Sequence, residues 1–135
     1  MLDSLIQREK YVNKLNKAIK DKFPQENYQV WVFGSFLTDE YTSQSDIDIA
    51  IYCTDIPLLL GIRDFIDEYL SNDMLRHDIV IFEFNDEHYI NIPIVLYGKT
   101  LTEYEPPNIV EFMKQMISKW TTNPMNVLLE RSVRT

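Results

Sequence analysis

Two short apolar runs, Tyr28 to Phe33 and Asp46 to Thr54, restrict the possible fold more than any other feature of the sequence. Both are rich in β-branched and aromatic residues, which favour strands. The first run is apolar on both faces, as in a central strand that is covered on both sides. In the second run every other residue from Ile47 to Cys53 is apolar, and we assign that face to the core. The opposite face begins with Asp46 and Asp48 and is therefore polar at its start.

The residues where the first run ends and the second begins are typical of a functional site rather than of a packed core. Gly34 and Ser35 end the first strand, and two aspartates open the second. Aspartate is depleted in strands because a short charged side chain packs poorly on a half-buried surface. Residues i and i+2 of a strand share a face, so Asp46 and Asp48 would lie roughly 6.5–7 Å apart at their Cα atoms. Two like charges held this close are most easily explained by a cation between them.

The bulk composition predicts one packed domain over residues 1–135, with 45% hydrophobic and 13% aromatic residues. The formal net charge is -8. Because phosphate backbones repel an acidic chain, direct nucleic-acid binding is a poor expectation, and a cationic small molecule or a protein is a better partner. The single cysteine, Cys53, excludes an internal disulfide and lies in an apolar strand, as a buried inert thiol does. The start of the chain has no apolar segment of the signal-peptide kind, and no run spans a membrane, so we expect a cytoplasmic protein.

The remaining elements follow from apolar periodicity and from capping residues. An amphipathic helix is predicted from Asp3 to about Phe23, with Asp3 or Ser4 as its cap and a solvated Lys/Glu-rich face. Further predicted elements are a helix from Asp55 to about Leu70, a strand over 78–84, a short strand over 99–103 and a helix over 107–120, within a helical C-terminal extension of about 107–131 that closes with a short helix after Asn123. The segment 86–97 is ambiguous: it fits a short helix closed by Gly98, but Pro93 argues for a break.

The combined motif resembles a known signature. Gly34-Ser35, ten intervening residues and then Asp46-x-Asp48 resemble the signature of the DNA polymerase beta-like nucleotidyltransferase superfamily. Asp78 matches the place of the third carboxylate of that superfamily. The short single-domain chain is most similar to the minimal nucleotidyltransferase (MNT) subgroup, and residues 94–103 also resemble the way those chains continue. The resemblance implies an α/β (α+β) nucleotidyltransferase fold, with a short mixed sheet of three to five strands flanked by helices.

The resemblance also implies roles for these residues. Neighbouring strands lie about 4.8 Å apart, so Asp78 beside Asp46 and Asp48 would complete a cluster of three carboxylates. Such hard oxygen ligands suit Mg²⁺, and two ions would activate a hydroxyl and steady the leaving pyrophosphate. Asp78 would take the proton of that hydroxyl. Gly34 and Ser35, with the start of a following helix, would hold the phosphates of ATP.

One departure from the subgroup concerns charge. Its members often carry an arginine or lysine shortly after the Gly-Ser pair, where it would neutralise the triphosphate. Here the segment 36–40 contains no basic residue and ends with Asp39 and Glu40. Arg63, Arg76 and Lys99 are the candidates to replace it in space.

Three functions remain open on these grounds. The first is a protein adenylyltransferase, since MNT proteins resemble antitoxins that transfer AMP from ATP to a tyrosine of an all-helical HEPN toxin. The second is an antitoxin that neutralises such a partner by binding alone, with a weak or inactive site. The third is a small-molecule nucleotidyltransferase of the aminoglycoside-modifying kind, because the acidic chain would attract a cationic sugar.

Overall fold

The computed structural model describes residues 2–83, 94, 98–107 and 109–122. Within these ranges the chain forms three helices and one four-stranded mixed sheet. In chain order the elements are α1 (Leu5–Lys22), β1 (Tyr28–Phe33), β2 (Ile47–Cys53), α2 (Ile56–Asn72), β3 (His77–Ile81), β4 (Lys99–Thr100) and α3 (Ile109–Thr122). The strand order is β3-β2-β1-β4, with β1 antiparallel to both of its neighbours and β2 parallel to β3. The predicted fold class is therefore confirmed.

The sheet separates two apolar clusters, as the residues of β1 predict. Val30 and Val32 point to a larger cluster that includes buried residues of α1 and α2. Trp31 and Phe33 point to a smaller cluster on the other face, which α3 helps to cover. The face of β2 that the sequence assigns to the core, Ile47 to Cys53 at every second residue, lies in the larger cluster. Asp48 is thus on the face of the smaller cluster, at its end.

Both long helices begin at side-chain caps. The Ser4 hydroxyl accepts a hydrogen bond from the Gln7 backbone N–H, and the Gln7 side chain accepts one from the Ser4 N–H, which together form a capping box. Asp55 caps α2 by accepting from the Leu58 backbone N–H, with Pro57 in the first turn. Of the two predicted caps of α1, Ser4 is the one used.

Several predicted boundaries are wrong by one to three residues. The paired part of β2 and β3 begins at Ile47 and His77, because the Ile47 N–H donates to the Arg76 carbonyl and starts the parallel ladder there. β4 ends at Thr100 rather than at residue 103, since the Gln29 side chain replaces the next ladder bonds by donating to the carbonyls of residues 102 and 104. α3 begins at Ile109 rather than at Pro107.

Two predictions lie outside the described residues. They are the ambiguous segment 86–97, of which only Ile94 is described, and the short helix after Asn123. No helix in the described ranges combines the length and the apolar character needed to cross a membrane.

Candidate active site

The sheet register brings the three predicted carboxylates to one edge. Asp48 is paired with Phe33, the last residue of β1, and on its other side with Asp78 of β3. Asp46 lies just before β2, two residues from Asp48 and therefore on the same face. The edge formed by the end of β1 and the starts of β2 and β3 thus carries Gly34, Asp46, Asp48 and Asp78 together. We call this edge the carboxylate edge.

Asp48 is the carboxylate whose environment is most unusual. Burial raises its pKa from 3.8 to about 6, and the negative charges of Asp78 and then Asp46 add to the rise. Both effects disfavour the ionised form, and both would be relieved by a cation placed among the three carboxylates. The electrostatics of this edge therefore favour the binding of positive charge.

Gly34 is required at this edge for a reason that the spacing alone does not reveal. Its φ is +75°, in the left-handed region that L side chains rarely adopt. A Cβ at this position would overlap the Oδ2 atom of Asp48. The sequence predicts that Gly34 admits a phosphate, whereas the structure shows that the missing side chain first makes room for the Asp48 carboxylate.

The predicted helix start at Ser35 is wrong. Residues 34–37 form a turn instead, in which the Thr38 N–H and hydroxyl both donate to the Ser35 carbonyl, at 2.9 and 2.8 Å. Because no helix begins at Ser35, no helix dipole acts on a phosphate at this end of β1. Any contact of the turn with a phosphate comes from its backbone and from the Ser35 hydroxyl.

Arg8 holds this turn in place and was missed by the sequence analysis, which assigned the charged residues of α1 to solvent. Its side chain is buried, with 4% exposure. The guanidinium donates to the carbonyls of Phe36 at 2.7 Å, Thr38 at 2.9 Å and Leu2 at 3.0 Å. It also lies over the Tyr41 ring, 5.1 Å from the centroid. A signal was present, because position 8 continues the apolar stripe of α1 at spacings of three and four.

Arg76 is the basic residue that the structure places at the carboxylate edge. Its Nε lies 3.1 Å from Oδ1 of Asp46. The other two candidates lie elsewhere: Arg63 pairs with Asp64 on α2, and Lys99 is in β4, beyond β1. His77 faces away from Asp78, as its alternation in the strand predicts, and bonds to the Asp67 carboxylate of α2 at 2.6 Å.

The donor set suits a divalent cation chemically, since three carboxylates supply hard oxygens and their mutual repulsion needs neutralisation. The side chains are nevertheless not arranged as a finished cage. Within the described ranges no three Asp, Glu, His or Cys side chains are grouped so as to hold a metal ion. Asp46 is instead turned to Arg76, so a set of three would require Asp46 to leave that ion pair.

Two cavities of the described surface lie towards the start of β1. They measure about 620 and 580 Å³, and both are lined by residues 102–105 and Lys20. None of the residues of the carboxylate edge lines either of them. The carboxylate edge is therefore separate from both cavities, and Gly34 and Asp78 are exposed on the part of the surface that the structure describes.

Comparison with known proteins also indicates a nucleotidyltransferase, as the sequence resemblance does. The model of the family described as "Nucleotidyltransferase domain" matches residues 12–101. A solved MntA-HpeT toxin-antitoxin, in a variant with two Asp-to-Glu changes, aligns with a TM-score of 0.53 and 18% identity over 92% of this chain and 98% of that chain. A toxin-antitoxin solved with AMP-PNP aligns with a TM-score of 0.53 and 20% identity over the same shares. At these identities the likeness shows the fold alone. A search of curated proteins gave no match.

Proposed function

The chain belongs to the nucleotidyltransferase domain family, whose model covers two thirds of it, and we propose that it transfers AMP from ATP to a tyrosine hydroxyl of a helical HEPN toxin, as the antitoxin of that pair. The observation that carries this proposal is the register that puts Asp48 beside Asp78, with Gly34 against Asp48. The two similar toxin-antitoxin structures, one of them with AMP-PNP, support the choice of partner and of nucleotide.

In this proposal each residue of the carboxylate edge has a role. Asp46, Asp48 and Asp78 would hold two Mg²⁺ ions, which supply charge neutralisation for the phosphates and lower the pKa of the attacking hydroxyl. The Gly34–Ser35 turn contacts the β- and γ-phosphates. The exposed Asp78 accepts the proton of the hydroxyl.

The reaction is a displacement at the α-phosphorus. The tyrosine oxygen forms a bond to the α-phosphorus, the bond to the bridging α–β oxygen breaks, and pyrophosphate leaves with that oxygen. The proton of the tyrosine passes to Asp78. The exposure of Asp78 and Gly34 suits a protein substrate, because the partner itself would bring the acceptor and cover the site.

The test uses the purified protein, Mg²⁺ and ATP labelled at the α-phosphate, with a co-expressed helical partner from the neighbouring gene. Label is expected on a tyrosine of the partner. Asp48→Asn should lower the rate at least a hundredfold, whereas Asp64→Asn, an exposed aspartate of α2, should leave it unchanged. Absence of transfer from the wild-type protein, although the partner binds, would refute the enzymatic proposal.

A second function, neutralisation of the partner by binding alone, is favoured by one observation. Asp46 is engaged by Arg76, and the described side chains form no ready metal cage. Growth rescue in cells that express the toxin separates the two functions. If Asp46→Asn together with Asp48→Asn still rescues growth as well as the wild type, binding is sufficient. If rescue is lost while the complex still forms, transfer is required.

A further inference from the structure

The turn after Gly34 supplies no positively charged side chain to the carboxylate edge. A nucleoside triphosphate carries about four negative charges, and a charged donor is the usual protein contact to its outer phosphates. The turn after Gly34 offers none, since the charged residues that follow it are Asp39 and Glu40, both exposed. Three carboxylates on the neighbouring strands increase the need for positive charge. A basic side chain from another part of the fold would add to the positive charge that divalent cations bring.

Arg76 is fixed at the opposite side of this edge by main-chain pairing. Its carbonyl accepts the Ile47 N–H at 2.8 Å, which sets Arg76 directly beside Asp46. Because Arg76 and Asp78 are two residues apart along one extended segment, their side chains leave on the same face. Across the edge the order is therefore the Gly34 turn, then the aspartates of β2, then Arg76 and Asp78.

Arg8, Arg63 and Lys99 are placed for different tasks. Arg8 is buried and uses its guanidinium on three backbone carbonyls. Arg63 lies on the outer side of α2 beside Asp64, and Lys99 pairs with Val32 on the far side of β1 from β2. Among the described residues, Arg76 is the one cation that contacts an aspartate of the carboxylate edge.

The ion pair of Arg76 with Asp46 is easily exchanged. The side chains of the two residues are 62% and 42% exposed, and an ion pair this open to water contributes little to stability. Arginine also matches phosphate well, because its planar fork donates two parallel hydrogen bonds to a phosphate group. A triphosphate arriving with divalent cations would offer Arg76 a more highly charged partner and would leave Asp46 free to bind a cation.

We propose that Arg76 binds the outer phosphates of the nucleoside triphosphate, and that its ion pair with Asp46 is the nucleotide-free arrangement of the site. This inference rests on the proposed nucleotidyltransferase function. It assigns to Arg76 the role for which the turn after Gly34 has no residue. Arg76 then exchanges Asp46 for phosphate when the nucleotide binds.

The experiment measures the Kd of Mg·ATP and of AMP by calorimetry for the wild type, Arg76→Ala, Arg76→Lys and Arg63→Ala. Arg63→Ala is the matched control, because it also removes an exposed arginine paired with an aspartate. Arg76→Ala should weaken Mg·ATP binding about ten- to a hundredfold, as loss of a charge-assisted contact does. It should leave AMP binding, which lacks the outer phosphates, within about twofold. Arg76→Lys should recover part of the loss.

Each other outcome overturns the inference. Equal weakening of Mg·ATP and AMP would place Arg76 away from the outer phosphates. Unchanged Mg·ATP binding would leave Arg76 without a role in nucleotide recognition, and tighter binding would make it only a competitor for Asp46. If the wild type binds Mg·ATP and transfers AMP while Arg76→Ala does both equally well, the inference alone fails. If the wild type binds no Mg·ATP, the proposed function fails and the inference fails with it.

Discussion

At the scale of single residues, the environment of Asp48 disfavours the charge that a cation-binding role would require. The residue is half-buried beside two other carboxylates, so ionising it in the folded chain is unfavourable, and its pKa rises to about 6. An uncharged residue would suit this strand position better, since its two neighbours in the ladder are the apolar Phe33 and the like-charged Asp78. The unfavourable charge persists at the one edge where a cation would reverse its effect. This pattern is typical of a functional site rather than of a structural aspartate.

A pH-dependent cost of Asp48 follows from this pKa. The folded pKa of about 6 lies above the value of 3.8 for the free group, so the folded chain binds the proton more tightly than the unfolded chain. The contribution of Asp48 to stability is therefore greatest below pH 4, falls as the pH rises towards 6 and is constant above it. Without metal, Asp48→Asn should melt higher than the wild type at pH 7.5, and the difference should shrink as the pH falls to 4. Thermal unfolding with EDTA present measures both values.

Asp64→Asn controls for the loss of one negative charge from an acidic chain. It removes an exposed carboxylate of α2 beside Arg63, and its melting temperature should stay close to that of the wild type across the same pH range. Equal stabilisation by both substitutions would mean that net charge, rather than the environment of Asp48, is responsible.

Gly34→Ala should destabilise the protein and displace Asp48. The left-handed backbone alone costs an L residue about 1–2 kcal/mol, and the new Cβ would overlap the Asp48 carboxylate. Urea unfolding should show a loss of at least this size, and Mg·ATP affinity should fall with it. A variant that is as stable as the wild type would show that the turn can change its conformation to admit a side chain.

The residues of the candidate site that could be predicted are those with a distinctive local pattern. The interval from Gly34-Ser35 to Asp46-x-Asp48, followed by Asp78, is visible without coordinates, and the register then brings these residues to one edge. The sequence makes Arg76 one of three candidates for the missing basic residue but cannot select it. Nothing in the sequence shows how close Arg76 comes to Asp46, which lies thirty residues earlier. The overlap that a side chain at position 34 would make with Asp48 could not be predicted, because it depends on how far one strand end is offset from the next.

At the scale of elements, α1 does more than cover the sheet. Arg8 lies in its apolar stripe and ties the helix to the turn that follows Gly34. The periodicity of α1 predicts its buried face correctly at Val12, Leu15 and Ile19. It cannot reveal that a charged residue shares that face, because the guanidinium is satisfied by carbonyls of a loop that has no periodicity of its own.

Arg8→Ala should therefore lower stability by about 3 kcal/mol, since it leaves buried carbonyl groups without donors and opens a cavity. Arg8→Lys should lower stability by less, because the ammonium group keeps the positive charge and part of the hydrogen bonding. It should still lower stability, because an ammonium group cannot reach all three carbonyls. Both values come from urea unfolding. Arg63→Ala, at an exposed site, should change stability by under about 0.5 kcal/mol. A loss as small as that for Arg8→Ala would show that the turn is held by the packing of Phe36 alone.

Gly61 in α2 offers a contrast to Gly34. Glycine inside a helix is about 1 kcal/mol less favourable than alanine. A Cβ at this position would lie 3.4 Å from Cε1 of Phe23, an ordinary contact. Gly61→Ala should thus stabilise the protein by up to about 1 kcal/mol in urea unfolding. A destabilised variant would indicate that the Phe23 ring, which packs on Phe65, cannot adjust to the added methyl group.

At the scale of the whole molecule, the parallel β2–β3 pair completes the carboxylate edge. The antiparallel β1–β2 pair places the end of β1 beside the start of β2, and the crossover through α2 brings the start of β3 to the same edge. Apolar patterns of period two predict the strands, and helical spacing predicts the helix between β2 and β3. A helix that connects two neighbouring strands is typical of a parallel pair. The boundaries were less accurate than the order, because they depend on single bonds such as that from Ile47 to Arg76.

The same arrangement makes ligand binding report on the whole fold. A ligand that binds only the folded chain stabilises it, by about 2.7 kcal/mol at a hundred times its Kd. For a domain of this size that corresponds to roughly 8–15 °C in melting temperature. Mg·ATP should raise the melting temperature of the wild type by such an amount at pH 7.5, and EDTA should reverse most of the shift. Asp48→Asn and Asp78→Asn should show little shift, although Asp48→Asn is itself the more stable protein without ligand. Opposite signs for intrinsic stability and for ligand response are expected only if Asp48 is held ionised for binding. If Mg·ATP stabilised Asp48→Asn as strongly as the wild type, the nucleotide would be binding away from the carboxylate edge.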